Sequence, residues 1–321
     1  MQLGLHALGI GAGARPEVIR AVAKAAESAG FARLWCGEHL VLVDRPASRY
    51  PYSADGRIAV PADADWLDPL LCLTYAAAAT KTIGLATGVL LLGEHNPVQT
   101  AKQAATLDLL SGGRLTLGVG IGWSADEFAA LGIPFEHRGR RTAEHVAAMR
   151  TLWADDVASF HGEFTRFEAV RVNPRPVRDR RVPVVVGGNS DAALDRVATF
   201  GDGWYGFNLA AATVADRVAA LTDACERRGR SLAELSIAVA LADGGPALVP
   251  DLAQAGVTEI VLVGAPPADP AEAVTWVAEL AAAWLDAPRP ARLPELAAVS
   301  TGQPVVDQRH HQREIGRDER A

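Results

Sequence analysis

The chain has 321 residues, of which 49% are apolar and 21% charged, with a formal net charge of −7. That length suits one large domain or two small ones, and the composition is that of a globular protein whose core needs no staples. The acidic balance speaks against a broad nucleic-acid footprint, and no run of 18 apolar residues is present to span a membrane. The three cysteines, Cys36, Cys72 and Cys225, sit in apolar or helical stretches without CxxC spacing. They read as small buried hydrophobes, with no metal site and no oxidising compartment implied.

In chain order, the N-terminus reads as a first strand (Leu3 to Gly9), not as a signal peptide. Pro16 opens a helix with apolar residues at helical spacing, and Gly30 ends it. Phe31 to Gly37 is a second strand, followed by a long polar loop from Glu38 to Asp65. A loop of that length is usually a lid or a binding segment. Asp68–Pro69 and Asn96–Pro97 each read as a helix cap followed by proline at the first helical position. Between them, Thr82 to Leu92 reads as the third strand, and Arg114 to Gly122 carries the fourth.

The rhythm then breaks. Two helices (Ser124 to Leu131 and His137 to Trp153) precede a hairpin over Ser159 to Val172. It resumes at Pro183 with the fifth strand, a sixth over Gly201 to Gly206, a seventh over Leu235 to Leu241 and an eighth over Val257 to Gly264, with helices between. Eight β/α units with near-continuous apolar strands predict a (β/α)8 TIM barrel with an insertion between strands 4 and 5. Residues 1–286 form that one domain, and the polar stretch 287–321, with His310 and His311, reads as a disordered tail. The GIGAG run after strand one lacks the spacing of a dinucleotide fingerprint.

In such a barrel, chemistry gathers at the carboxyl ends of the strands. The residues there are Glu38 and His39 after strand two, Gly88 at the end of strand three, Trp123 to Asp126 after strand four, and Gly187, Gly188, Asn189 and Ser190 after strand five. The GGNS turn allows close backbone approach and free N–H groups at a helix start, which suits a phosphate. It suits an ordinary capped βα turn as well. Asp126 is equally a first-turn acid favoured by the helix dipole. His6 is either a pocket residue or a satisfied core histidine. The arginines Arg138, Arg140 and Arg141, with Arg175 and Arg178 beyond, read either as an anion-attracting patch or as a solvated face paired with Glu136 and Glu144.

Several runs together carry a resemblance: GFARLWCGEH, KTIGLATGVLLLGEHNPVQTAKQAATLDLLSGGRLTLGVGIGW, EFAALGIPFEHRGRR, FHGEFTRFEAVRVNPRP and PVVVGGNSDAALDRVATFGDGWY. Over about residues 1 to 265 the chain resembles the bacterial luciferase-like flavin monooxygenases, and within them the oxidoreductases that use the deazaflavin coenzyme F420. The resemblance implies a cofactor ring in the barrel mouth and a phosphate on Gly187, Gly188, Asn189 and Ser190. It implies a non-prolyl cis peptide at Gly88–Val89 behind the ring. It implies that His39, with Glu38 beside it, works at the reactive face, and that Trp123 and Asp126 lie near the ring. Glu38 stands where aspartate is usual, and Trp123 stands where the sugar-phosphate dehydrogenases of the family carry a glutamate acid. That makes sugar-phosphate oxidation a poor fit. The implied activity is hydride transfer between F420 and a small organic substrate. The alternative is FMN-dependent monooxygenation using reduced flavin, supplied by a separate reductase, and O2. A homodimer in the cytoplasm is the expected state, with no nucleic-acid, membrane or metal partner.

Overall fold

The apolar runs become ten short strands in the computed structural model, which describes residues 1–285. They are β1 (Gln2–Leu8), β2 (Arg33–Cys36), β3 (Gly84–Thr87), β4 (Leu115–Val119), β5 (Ala158–His161), β6 (Arg166–Val170), β7 (Val184–Gly187), β8 (Gly203–Leu209), β9 (Ser236–Leu241) and β10 (Glu259–Val263). Eight of them close a parallel barrel in the order β1-β2-β3-β4-β7-β8-β9-β10, and β10 pairs back onto β1 with His6 opposite Val263. The other two, β5 and β6, form an antiparallel hairpin outside it. The segment expected to be a disordered tail, with His310 and His311, lies outside the described residues.

Helices α1 (Pro16–Ala29), α2 (Pro69–Ala79), α3 (Pro97–Ser111), α4 (Ala125–Ala130), α5 (Arg138–Ala154), α6 (Asp191–Phe200), α7 (Ala211–Glu226), α8 (Val249–Gln254) and α9 (Pro270–Leu285) alternate with the strands. The insertion between β4 and β7 is therefore α4, α5 and the hairpin. Local chemistry sets the helix starts. Asp68 accepts the Leu71 N–H at 2.8 Å, and Asn96 accepts those of Val98 and Gln99 at 3.0 and 3.3 Å. Each satisfies N–H groups that a helix start leaves without partners.

Two strands differ from the sequence expectation. The third stops at Thr87, and the apolar residues after it enter the Gly88–Val89 peptide and a 3-10 turn at Leu92–Glu94. A continuous apolar run does not distinguish a strand from a buried turn. The sixth extends to Leu209, and Asn208 within it has φ 53°.

Inside the barrel, Trp35 stacks on Tyr205 with ring centroids 4.5 Å apart, among Ala86, Val185, Ala238, Ala240 and Val261. Burying each large ring contributes roughly 1.5–3 kcal/mol. The amino end of the barrel is closed by the Arg33–Glu259 ion pair, whose carboxylate also accepts Trp35 Nε1–H at 2.7 Å. With that end plugged, the opposite rim is left to hold a ligand. All three cysteines are free and buried.

Candidate active site

Glu127 organises one side of the rim, and sequence reasoning did not single it out. His39 Nδ1 lies 2.8 Å from its Oε2, while the N–H groups of Leu40 and Val41 donate to its Oε1 at 2.7 and 3.2 Å. The stretch Ser124-Ala-Asp-Glu127 has the spacing of a capping box, and Ser124 Oγ does accept the Glu127 N–H at 3.2 Å. The glutamate does not return to the cap. It reaches across to the loop after β2 and fixes the His39 ring. A carboxylate on Nδ1 leaves Nε2 as the nitrogen able to exchange a proton with a ligand. The ring stands edge-on to Trp66 at 4.9 Å and to Trp123 at 5.7 Å.

Glu38, expected beside His39 as a catalytic residue, goes elsewhere. Its carboxylate accepts the Leu91 N–H at 2.6 Å and meets His95 Nε2 at 3.0 and 3.1 Å, and the residue is 4% exposed. It shapes the turn after β3 and has no open face. Burial draws the His95 pKa down, but the Glu38 hydrogen bond and charge outweigh it and raise it. Next to this pair, both oxygens of Glu94 are buried without a partner among the described residues. Its pKa is pushed up to about 9, first by burial and then by the charges of Glu127 and Glu38.

The floor of the mouth is the Gly88–Val89 peptide, which is cis. A Cβ at Gly88 would sit 3.1 Å from the Trp35 ring and 3.2 Å from the His6 ring, tighter than ordinary contact, so a side chain there would press on both rings. His6 is a satisfied core histidine, with Nδ1 3.0 Å from the Tyr205 hydroxyl. Burial pushes its pKa down to about 4, so it stands neutral at physiological pH.

Across the floor lies the GGNS turn. Ser190 Oγ accepts the Ala193 N–H at 3.2 Å and starts α6. Gly188, at φ 117°, gives its carbonyl to Trp204 Nε1–H at 2.8 Å. Asn189 faces the protein: its Nδ2 donates to the Phe207 carbonyl at 2.7 Å, and its Oδ1 accepts the Phe207 N–H at 3.2 Å. Two arginines feel each other's charge, Arg138 on α5 and Arg196 on α6, the helix that this turn starts. Arg138 lies over the Phe135 ring at 3.9 Å and donates to the Gly122 carbonyl at 3.1 Å. Arg196, on α6, has its Nε buried without a partner among the described residues, and burial and then the charge of Arg138 hold its pKa below the usual value. Three more arginines of the cluster are engaged elsewhere. Arg140 pairs with Glu163, Arg141 holds the Gly93 carbonyl, and Arg175 pairs with Asp156. Glu144 accepts three hairpin N–H groups and binds none of these arginines.

The long loop after β2 crosses the mouth as a strap. Its Ser48 N–H donates to Asp126 Oδ2 at 2.8 Å, and Ser48 Oγ accepts the Ala125 N–H at 2.9 Å. Asp126, expected near a cofactor ring, is therefore a latch for the strap, and the Ser48 backbone hydrogen bond lowers its pKa. Beyond the latch, the Tyr50 ring meets Trp123 at 5.2 Å and Tyr52 meets Phe207 at 5.5 Å. Trp66 Nε1 donates to the Gly37 carbonyl at 3.1 Å, while Trp35 and Trp204 are core. The mouth thus has a cis-peptide floor, one anchored histidine, an aromatic wall and a cationic turn. That arrangement suits a flat ring bearing an anionic tail.

Comparison with known proteins bears on the fold and the family. A model of the luciferase-like monooxygenases matches residues 2–242. The uncharacterized protein Rv0953c of Mycobacterium tuberculosis is 36% identical over 267 residues, covering 82% of this chain and 92% of that one. The FMNH(2)-dependent dimethylsulfone monooxygenase of Pseudomonas putida is 38% identical over 131 residues, covering 40% of this chain and 36% of that one. Among solved structures, monooxygenase RslO1 from Streptomyces bottropensis superposes with a TM-score of 0.71 at 23% identity, over 89% of this chain and 99% of that one. The coenzyme F420 dependent tetrahydromethanopterin reductase of Methanopyrus kandleri gives 0.68 at 16% identity, over 88% and 98%. The two solved structures share the fold; the matched model and the mycobacterial relative decide the family. The chain belongs to the luciferase-like monooxygenases.

Proposed function

We propose that the protein is a reduced-flavin monooxygenase, which takes FMN already reduced by a separate reductase and oxygenates a small organic substrate. The observation that carries this reading is the cis Gly88–Val89 floor together with the GGNS start of α6 and, on that helix, the buried Nε of Arg196, which has no partner among the described residues, with Arg138 close enough to act on it by charge. The floor suits an isoalloxazine ring, and the turn suits the phosphate at the end of its ribityl chain. The partnerless Arg196 Nε fits an anion, since a buried cationic donor left unpaired is costly. When bound, the reduced flavin supplies the electrons that activate O2. The dimethylsulfone monooxygenase relative supports FMN over other cofactors.

The protein's own part is to bind, orient and exclude water. The backbone N–H groups at the start of α6, at Asn189 and Ser190, are offered to the phosphate, Gly187 and Gly188 let it approach while the Gly188 N–H stays with the Tyr205 carbonyl at 3.3 Å, and the Asn189 side chain holds that turn in place through Phe207. Val89 and Gly88 give the ring its floor. His39 Nε2 exchanges a proton at the ring or substrate, with Glu127 fixing the imidazole. Glu38 positions the floor through Leu91. Trp123 walls the substrate side, and Asp126 holds the strap closed. Exposed Leu71 and Tyr75 on α2, with Leu109 and Leu110 on α3, form the face we assign to a homodimer.

A second reading keeps the site and changes the chemistry to hydride exchange between F420 and a small substrate. His39, whose Nε2 has no hydrogen-bond partner among the described residues, favours it, as does the likeness to the F420 reductase fold. Oxygen-electrode assays separate the two. With chemically reduced FMN, substrate-dependent O2 uptake that yields an oxygenated product is the expected result. Absence of any product with FMN, together with substrate-dependent bleaching or recovery of F420 absorbance, would replace the first reading by the second.

A further inference from the structure

The strap carries one group toward the phosphate turn. Tyr52 lies 156 residues before Asn208, yet its carbonyl accepts the Asn208 Nδ2–H at 2.8 Å, and its ring stands edge-on to Phe207. Its hydroxyl lies 4.0 Å from where a Cβ of Gly188 would be. The charge of Arg196 reaches that phenol as well. Among the described residues the hydroxyl has no hydrogen-bond partner, although its ring is half-buried. The phenol hydroxyl therefore lies at the edge of the space that Gly188 leaves open, within reach of the charge of Arg196, whose Nε is buried without a partner among the described residues.

We propose that Tyr52 is a further ligand of the bound phosphate, so that cofactor binding fastens the strap over the mouth. This rests on the reading of the GGNS turn as a phosphate site. The geometry links the two events. Asn189 clasps Phe207, Phe207 packs against Tyr52, and Asn208 holds the Tyr52 carbonyl. A phosphate drawn in by Arg138, Arg196 and the α6 N-terminus meets the phenol as its last donor. A hydrogen bond to a charged acceptor is among the stronger ones. The strap's other mid-span ties are the two Ser48 hydrogen bonds to α4, part of them exposed, which alone hold a loop of this length only weakly. The order that follows is cofactor first, with the strap then closing and Tyr50 and Tyr52 completing the aromatic wall. A ring without a phosphate leaves the strap loose.

Hydrogen exchange followed by mass spectrometry on the full chain tests this, with FMN as the probe and riboflavin as the same ring lacking phosphate. In the wild type, saturating FMN is expected to slow exchange across residues 48–56, and saturating riboflavin is not. Tyr52→Phe keeps the ring and loses only the donor. It is expected to bind FMN about tenfold more weakly, the cost of one charge-assisted hydrogen bond, and to lose the added protection at saturation. Asn208→Ala, which frees the Tyr52 carbonyl, is expected to reduce the protection without touching the donor. Equal protection of the strap by FMN in wild type and Tyr52→Phe, or equal protection by riboflavin, would overturn the proposal while leaving the phosphate site standing. No binding of FMN or F420 to folded wild type would overturn both.

Discussion

Asn189 and Phe207 exchange two hydrogen bonds, side-chain amide to backbone, and so lock the turn after β7 to the end of β8. Replacing Asn189 by alanine leaves both backbone groups of Phe207 without their partner. The expected cost is about 1–3 kcal/mol of stability. Because the turn's N–H groups lose their fixed aim, FMN affinity is expected to fall about tenfold or more. Thermal melts and a flavin titration of Asn189→Ala check the two effects separately.

Of the two histidine–glutamate contacts described at the rim, His39–Glu127 and His95–Glu38, the first is the one assigned to proton exchange. His39→Ala removes the exchangeable proton, and turnover is expected to fall about 10²-fold or more, as for loss of a general acid–base group. Glu127→Gln can still accept the Leu40 and Val41 N–H groups, so the loop stays folded while His39 loses its charged partner. A smaller loss of turnover, with a shifted pH profile and near-unchanged melting temperature, is the expected outcome.

Glu94 makes a stability prediction with a definite sign. Its pKa is pushed up to about 9 by burial and by Glu127 and Glu38, from an ordinary value of 4.5. The folded state therefore holds a proton that the unfolded state releases. Glu94 costs stability progressively as pH rises from about 4.5 to 9, and nothing further above that. Glu94→Gln mimics the protonated acid. It is expected to stabilise the protein by about 1–3 kcal/mol near pH 8 and to have little effect at pH 4.5. Urea unfolding of both proteins across that range measures the difference; an equal effect at both ends would contradict it.

His6 behaves in the opposite direction. Burial lowers its pKa to about 4, so its contribution to stability is complete above 6.5 and is lost as pH falls through 4. Its ring resonances are expected to stay constant between pH 8 and pH 5 in an NMR titration. A midpoint near 6.5 would show that the ring is solvated within a looser barrel core.

The barrel was legible because its signals are local. Proline after a cap residue marked α2 and α3, and unbroken apolar runs marked the strands. The partners of the site residues were not legible. Glu127 looks like half of a capping box, and only the fold brings it 88 residues back to His39. Glu38 and Asp126 carry the right chemistry in the right loops, yet backbone N–H groups of Leu91 and Ser48 claim them. Arg196 has no sequence signal beyond its position one turn inside α6. Its meaning comes from the partnerless Nε.

Anaerobic titration of the purified protein with reduced FMN and, separately, with F420 tests the central claim most directly. The account predicts saturable binding of reduced FMN in the micromolar range or tighter, weakened at least tenfold in Arg138→Ala/Arg196→Ala. Folded wild-type protein that binds neither cofactor, or binds reduced FMN equally well without the two arginines, would contradict it.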